Sequence, residues 1–534
     1  MTASQDMAKT YSSSHRKRIA IIGAGASGIV AARFLLKHGA NVTIYERHTS
    51  LGGQWDSLSP YSGVWPAMRT NTCSITTKFS DLAHPQDIPL YPRNQSILQY
   101  LNNYATKFHI VPHIRFSTRV THLDRTADNT GWKITSIQNE RTESHDEFDA
   151  VIVASGRFTN PYTPEVHGLH SFTGECGVTH SYRYQHPENY KGKRILVTGG
   201  SISAFEISTS LVMAGAKHVI SSARRIKHLA GRLYQGKSVE YFKHTRYERL
   251  FNELISKRER AERLKDFLNI TMGPPEKFNS LPPDPDPEKA GFATSETFLP
   301  LVAEGYITPK PWISRVTGKT VYFNDGTVER NIDGIIMCTG YDLELPYLSE
   351  ELQRVIQPTR KHIPLSWYTF HPAVPDLAFI GFWFHSGSVF VSTEQQARFI
   401  AYVLCGLQKL PSKRETLTAF EKYMADEAIH GKVGLSTFSY QLSKLGGFEP
   451  DLYAHPELAR YLLFGPITPA SYRLSGIDAL TDAPQRIIED AARFNCMTNG
   501  CLTSEEAKKL QQLAKQKNDP DFTAYIKRAL TISS

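Results

Sequence analysis

The chain predicts an α/β fold built on two similar strand–turn–helix–strand units that lie far apart in sequence. Three observations predict it. The segment RIAIIGAGASGIVAARFLLKHGANVTIYER, Arg18 to Arg47, runs from an apolar strand through a glycine-rich turn and a helix into a second strand. The segment RILVTGGSISAFEISTSLVMAGAKHVISSARR, Arg194 to Arg225, repeats that plan. A chain of 534 residues is also longer than one core organises, so two or three domains are expected. Together these predict two Rossmann-like dinucleotide-binding domains.

In the first unit, Ile19 to Ile22 form the strand and Gly23 permits the tight turn. Gly25 lets the backbone approach a pyrophosphate, and Gly28 allows the helix to pack closely on the sheet. Ala24, Ala26 and Ser27 complete the loop, whose N–H groups open the helix and face the phosphates. Glu46 closes the second strand, eighteen residues beyond Gly28. A carboxylate there accepts from a ribose 2′-hydroxyl and repels a 2′-phosphate, so this site prefers FAD or NAD over NADP.

In the second unit the turn is Gly199, Gly200 and Ser201, with Ser203 and Ala204 in the first helical turn. Ser201 and Ala204 replace the second and third glycines of the fingerprint but stay small. Arg224 and Arg225 follow the next strand, where the first unit has Glu46. A guanidinium grips a phosphate through two charge-assisted hydrogen bonds, so this site suits the 2′-phosphate of NADPH, held by one arginine or the other. A purely structural strand and helix is the alternative. Opposite charges at the two ribose positions imply two cofactors, one flavin and one nicotinamide.

Composition narrows the class. The net charge of +9 is spread without blocks, which argues against nucleic-acid binding but would help attract a phosphorylated cofactor. The six cysteines form neither a C-x-x-C pair nor a zinc-ligand spacing, so no metal site is expected and the thiols read as reduced and intracellular. Residues 1–16 are polar, lack an apolar signal core and read as a flexible arm. Apolar runs such as DLAFIGFWF and FIAYVLCGL are too short to span a membrane. A soluble, cytoplasmic protein with no membrane partner is expected.

Beyond the two units, the chain from about Arg18 to about Phe494 resembles the flavin-containing monooxygenase family. The resemblance rests on LGGQW (Leu51–Trp55), TNTCSITTKFSDLAHP (Thr70–Pro85), VIVASGRFTNPYTP (Val151–Pro164), IIMCTGYDLELPYL (Ile335–Leu348), EQQAR (Glu394–Arg398) and LLFGPITPASYRL (Leu462–Leu474). It implies that Gln54, Trp55, Thr70, Asn71, Thr72, Val120 and Gly340 join the cofactor sites, and that Asn71 is the active-site asparagine. A carboxamide both donates and accepts and carries no charge at any working pH. Ser155 and Cys338 depart from the family's usual Thr and Ala. The signature F-x-G-x-x-x-H-x-x-x-[YF] appears as FTGECGVTHSYRY, with two extra residues between Gly174 and His180. His180 reads equally as a linker between domains. Tyr184 stands where Baeyer–Villiger enzymes carry Trp.

The resemblance implies an NADPH- and O2-dependent FAD monooxygenase. It would oxygenate an amine nitrogen or thioether sulfur of a small molecule through a C4a-hydroperoxyflavin, an activity of the N,N-dimethylaniline monooxygenase type. Baeyer–Villiger oxidation of a ketone is one alternative, disfavoured by Tyr184. An NADPH oxidoreductase without oxygen insertion is another, disfavoured by the missing C-x-x-C. No nucleophile or triad is needed. Expected partners are a small-molecule substrate and O2, and the resemblance is compatible with a homodimer. Ser392 to Gln395 reads as a capping box opening a helix aimed at the flavin. The expected division is 17–173 with 332–480 for the FAD domain and 174–331 for the NADPH domain. Within the latter, an insertion at about 226–300 is expected near the substrate entrance. A helical extension follows at 481–534.

Overall fold

A computed structural model describes residues 16–425, 433–493, 504–517 and 519–530. The arm expected over 1–16 lies outside the described residues except for Arg16. Two sheets organise the chain. The first has the strand order Phe370–His371, Val374–Phe379, Ala150–Val153, Arg18–Ile22, Asn41–Tyr45, Ile114–Arg115. Its pairs are parallel except the outermost, Phe370–His371 with Val374–Phe379. The second has the order Ile307–Lys310, His218–Ser222, Arg194–Thr198, Gly334–Met337, Gly177–His180, parallel throughout. Central strands such as Ala150–Val153 and Gly334–Met337 are buried at every position. Their continuous apolar runs suit a sheet covered on both faces.

The first sheet therefore takes its strands from two separate stretches of chain, and the second sheet lies between them in sequence. One boundary differs from the sequence expectation. Gly334–Met337, expected in the first unit because that unit was to resume at 332, pairs between Arg194–Thr198 and Gly177–His180 in the second sheet. Its four buried positions need sheet on both sides. The chain turns back only afterwards, where Tyr341–Asp342 pairs with Asn160–Pro161.

The turns after Arg18–Ile22 and Arg194–Thr198 share one construction. Gly23 has φ +110°, and a Cβ on it would stand 2.6 Å from the carbonyl oxygen of Ala154. Gly199 has φ +134°, and its Cβ would overlap the carbonyl oxygen of Cys338. Only glycine meets both demands. The helices Ala26–Lys37 and Ile202–Met213 follow, with Gly25 and Ser201 as N-caps. At the third fingerprint position the units diverge. A Cβ on Gly28 would collide with the carbonyl oxygen of Gly23, whereas Ala204 carries its methyl group fully buried.

The insertion is more divided than its helical pattern suggests. RYERLFNELISKRERAERLKDFL forms two helices, Arg246–Leu254 and Lys257–Thr271. Ser256 starts the second with a capping box: its hydroxyl accepts the Glu259 N–H, and Glu259 accepts the Ser256 N–H. The C-terminal helices Ser504–Lys517 and Pro520–Leu530 place Leu510, Phe522 and Ile526 in one apolar cluster with Phe251 of the insertion and Leu463 and Phe464. Among the described residues, no helix is long and apolar enough to cross a membrane.

The two kinds of glycine predict unequal substitution costs. Gly28→Ala forces a methyl group into the Gly23 carbonyl and should lower unfolding free energy by about 2–3 kcal/mol. Gly39→Ala, at φ +82° with open space around it, should cost only about 1 kcal/mol. Urea unfolding of both variants checks this. Equal small losses would show that the Gly28 collision relaxes freely.

Candidate functional site

A cavity of about 960 Å³ lies at the C-terminal ends of the first sheet's strands, with Ile22, Tyr45 and Ala154 in its wall. In open α/β sheets that end is where ligands bind. Gly23, Gly25, Ala26 and Ser27 line it from the glycine-rich turn, and Glu46 and Val120 from beside the second strand. Gln54, Trp55 and Asn71 line it from the loops that follow.

Glu46 has a task within the protein itself. Its carboxylate is buried and accepts the backbone N–H groups of Ala24 and His48, each at 2.8 Å. It therefore fastens the glycine-rich turn, and each oxygen keeps a lone pair for a further donor. Ala24 supports the site from behind, and Gly28 serves packing; neither is a lining residue. Gly25 is the open point of the turn. A Cβ there would meet only Gly53 Cα, at 3.7 Å, within the protein.

Asn71 carries the clearest sign of a missing partner. It lines the cavity, and its Oδ1 is buried with no hydrogen-bond donor. Its neighbours act on the loop instead of the cavity. Thr70 donates its N–H to Pro92 O at 2.9 Å, and the hydroxyls of Thr72 and Thr77 share a 2.8 Å hydrogen bond. The loop is anchored by a residue that sequence inspection missed. Glu240, in the insertion, is buried and accepts the Cys73 N–H at 2.5 Å and the Thr76 hydroxyl at 2.8 Å. Burial raises its carboxyl pKa. No residue of 226–300 lines the cavity itself. The insertion, expected at the substrate entrance, reaches the site through this loop.

The helix Val389–Leu404 turns its N-terminus to the cavity through Val389, Phe390 and Thr393. The capping box expected at Ser392–Gln395 is not its start. Ser388 is the N-cap and accepts the Phe390 N–H at 3.3 Å. Ser392 and Glu394 are already inside the helix, where Glu394 accepts the N–H of Ser80 at 2.7 Å and an Arg473 guanidinium hydrogen bond at 3.2 Å. Tertiary partners satisfy the groups that read as a local cap.

The second turn stands at the edge of this cavity. Ile202, the first residue of its helix, is a lining residue alongside Gly25 and Asn71. Ser201 makes no side-chain cap of its own, and Lys227 Nζ lies 3.5 Å from its hydroxyl. Gly200 admits the following strand's exit, since a Cβ there would stand 2.6 Å from Arg225 O. Ser203 is half-buried on the same helical turn, and Arg224 and Arg225 are exposed just beyond the strand His218–Ser222. The Arg224 guanidinium lies 5.1 Å over the Trp312 ring. Lys227 is a third cation here that the charge-swap argument did not include. Gly340, at φ +87° in open space, marks the chain's return from the second sheet and does not line the cavity.

His180 and Tyr184 also stay outside the cavity lining. His180 Nδ1 accepts the Tyr182 N–H at 3.0 Å, and burial lowers its pKa. Tyr184 is buried edge-on to Trp65 and donates to Ser210 at 3.0 Å. Between them, the Tyr182 hydroxyl donates to Pro60 O at 3.1 Å. Sequence inspection also missed Arg47, Arg157, Tyr347, Trp383 and Phe384, all of which line the cavity. Tyr347 meets Ser155 through a 2.8 Å hydroxyl–hydroxyl contact. The motif VIVASGRFTNPYTP contained the signal for Arg157, and the run GFWF that for the two aromatic residues.

The open Gly25, the orphaned Asn71 oxygen, the aimed helix N-termini and a volume near the top of the usual ligand-pocket range fit a dinucleotide with room for a small second ligand. Among the described residues, no cluster of His, Cys, Asp or Glu could hold a metal.

Residues 16–517 match the family described as flavin-binding monooxygenase-like. The N-oxide-forming dimethylaniline monooxygenase 2 of Cavia porcellus is 28% identical over 509 residues, 90% of this chain and 92% of that one. Flavin-containing monooxygenase 2 of Homo sapiens is 29% identical over 490 residues, 86% of this chain and 89% of that one. Among solved structures, the S-allyl-L-cysteine S-oxygenase from Allium sativum superposes with a TM-score of 0.62 at 22% identity, covering 90% of this chain and 98% of that one. The cyclohexanone monooxygenase from Rhodococcus sp. Phi1, bound to NADP+, gives 0.60 at 17% identity over 81% of this chain and 97% of that one. At these identities the two structures show a shared fold.

Gly25→Val separates ligand loss from misfolding. Gly25 has φ −75°, which valine tolerates, and the branched side chain would point where the protein leaves space. The variant should fold with a near wild-type melting temperature and lose its bound flavin, measured by absorbance after gel filtration. Full flavin content would show that the pyrophosphate lies elsewhere.

Proposed function

Because the chain belongs to the flavin-binding monooxygenase-like family, we propose that it oxygenates a soft nucleophile, an amine nitrogen or thioether sulfur, in a small organic molecule. It is an FAD- and NADPH-dependent monooxygenase. Overall, NADPH supplies two electrons, one oxygen atom enters the substrate and the other leaves as water. The bound flavin supplies the chemistry that reduces and transfers oxygen.

The observation that carries the reading is the Asn71 carboxamide, whose buried Oδ1 lacks a partner in a cavity that both the Gly25 turn and Ile202 border. The Gly23–Gly28 turn and Glu46 are assigned to FAD. The Gly199–Ala204 turn, with Arg224, Arg225 and Lys227 around the 2′-phosphate, is assigned to NADPH. The domain division follows this assignment: 17–173 with the chain after Gly340 for FAD, the intervening chain for NADPH, and 481–534 as the helical extension. Trp55, Phe79, Trp383 and Phe390 give the cavity an apolar wall that keeps bulk water out. The described cysteines, Cys73, Cys176, Cys338 and Cys405, are unpaired thiols, which supports the cytoplasmic location proposed with this activity. A homodimer is part of the same proposal. Mass analysis of products from amines, thioethers and ketones tests the substrate class; oxidation of ketones alone would replace it with Baeyer–Villiger chemistry.

Asn71→Ala should still bind FAD and still be reduced by NADPH, because neither step is assigned to the carboxamide. Oxygenation should fall by about 10²–10³-fold, the usual cost of removing one positioned hydrogen-bonding group. NADPH oxidation should continue, with hydrogen peroxide released in place of product. Wild-type product yield per NADPH would remove Asn71 from the mechanism.

Arg224→Ala should weaken NADPH binding about ten- to a hundred-fold and leave NADH binding nearly unchanged. Titrating both coenzymes against the holoenzyme decides it. Equal weakening would mean that Arg224 acts on the fold through Trp312.

A further inference from the structure

Among the described residues, Arg157 is a cavity-lining cation with no carboxylate partner. It follows the strand Ala150–Val153 and lines the cavity. Its guanidinium sits 3.4 Å over the Phe384 ring and 5.8 Å from Phe158. Its single hydrogen bond goes to Lys361 O at 2.8 Å. Among the described residues, no carboxylate forms an ion pair with it. A guanidinium carries five N–H donors, so most of its capacity is unspent. Burial pulls its pKa down to about 10, still far enough above neutral to keep it charged. Its side chain is half-buried, and stacking on Phe384 stabilises the charge without using its N–H donors.

Its position makes the missing counter-ion informative. Several of the cavity's other ionisable lining residues lie beside Glu46. Glu46, Arg47, His48 and Asp56 follow the strand Asn41–Tyr45. Glu344 follows the strand Tyr341–Asp342, whose Asp342 accepts a hydrogen bond from the Lys361 ammonium at 3.2 Å, and the Lys361 carbonyl is the acceptor that Arg157 uses. Arg157 shares the cavity wall with Trp55, Asn71, Trp383 and Phe384. Gln54 Nε2 holds the adjoining loop by donating to Phe158 O at 2.9 Å. The rings against the Arg157 guanidinium are those of Phe384 and Phe158.

We propose that Arg157 is the specificity-determining residue of this site and takes a carboxylate borne by the substrate. The preferred substrates are then acidic soft nucleophiles, in which a carboxylate lies a few atoms from the oxygenated nitrogen or sulfur. The planar fork of the guanidinium matches a carboxylate in a two-point hydrogen bond, and the Phe384 ring against its face holds the fork's plane in place. This rests on reading the Asn71 end of the cavity as the oxygenation site.

The test uses holoenzyme, with (methylthio)propanoate and its methyl ester as probes. Binding is followed by the perturbation of the flavin's visible absorption, which requires no turnover. Wild type should bind the acid at least about tenfold more tightly than the ester. Arg157→Gln should lose about ten- to a hundred-fold in affinity for the acid and keep the ester affinity, NADPH affinity and flavin content. Arg157→Lys, which keeps the charge but not the fork, should retain part of the preference and guards against misreading a damaged fold. An ester bound by wild type as tightly as the acid would overturn the proposal. So would equal weakening of both probes in Arg157→Gln. Sulfoxide formation, measured separately by mass spectrometry, tests the oxygenase reading independently of these affinities.

Discussion

A glycine α-carbon pressed against a backbone carbonyl fixes both halves of the site. Gly23 meets the Ala154 carbonyl and Gly199 meets the Cys338 carbonyl, each at the exit of the neighbouring parallel strand. Neither position has room for a side chain, and both need a positive φ. This lets each strand end abruptly and start its helix at once, so the free N–H groups of the first turn face outward at the sheet's C-terminal edge. The cavity, its access to Ile202 and the separation of the two nucleotide turns all follow from that geometry. Where the units differ, the difference is also steric. Gly28 closes the first helix onto its own turn, and Ala204 holds the second slightly apart.

Around this frame the chain uses buried carboxylates as fasteners. Glu46 gathers the N–H groups of Ala24 and His48. Glu240 and Glu394 act on the segment that carries Asn71, Glu240 at Cys73 and Thr76 and Glu394 at Ser80. Ser388 adds a hydrogen bond from its hydroxyl to Thr76 O at 2.9 Å. Burial raises the carboxyl pKa of both Glu240 and Glu394, and Arg473 counters it at Glu394. Hydrogen bonds to charged groups contribute about 1.5–3 kcal/mol each, and a buried charge left unpaired costs more than it ever contributed. Such fasteners therefore set one loop geometry sharply.

Legibility in the sequence followed the range of the interaction. Both strand–turn–helix–strand units could be read because their information is local: apolar strands, glycine spacing and small residues in the turn. Glu46 against Arg224 and Arg225 is one position in each of two matched segments. Reading failed where a local signal had a distant partner. Ser392 and Glu394 have the spacing of a cap, yet Glu394 is spent on Ser80 and Arg473, and the helix starts at Ser388. The strand Gly334–Met337 has an unambiguous apolar run, but its sheet depends on neighbours more than a hundred residues upstream. Arg157, Trp383 and Phe384 meet at the cavity only through the fold. Glu240 carries no motif, and only its burial against Cys73 reveals its task.

That last contact ties the insertion to the loop that carries Asn71. The insertion lies in sequence between the second-sheet strands His218–Ser222 and Ile307–Lys310, so it belongs to the unit assigned to the nicotinamide. Its Glu240 nevertheless grips the loop that carries Asn71, and its Tyr247 and Phe251 share an apolar cluster with the C-terminal helices. A displacement of the second unit relative to the first must either break the short Cys73–Glu240 hydrogen bond or carry the loop with it. The bond is buried and short, so breaking it leaves a buried donor and acceptor unpaired and is the costlier path. Asn71 therefore sits where the position of one nucleotide unit is felt directly by the cavity of the other.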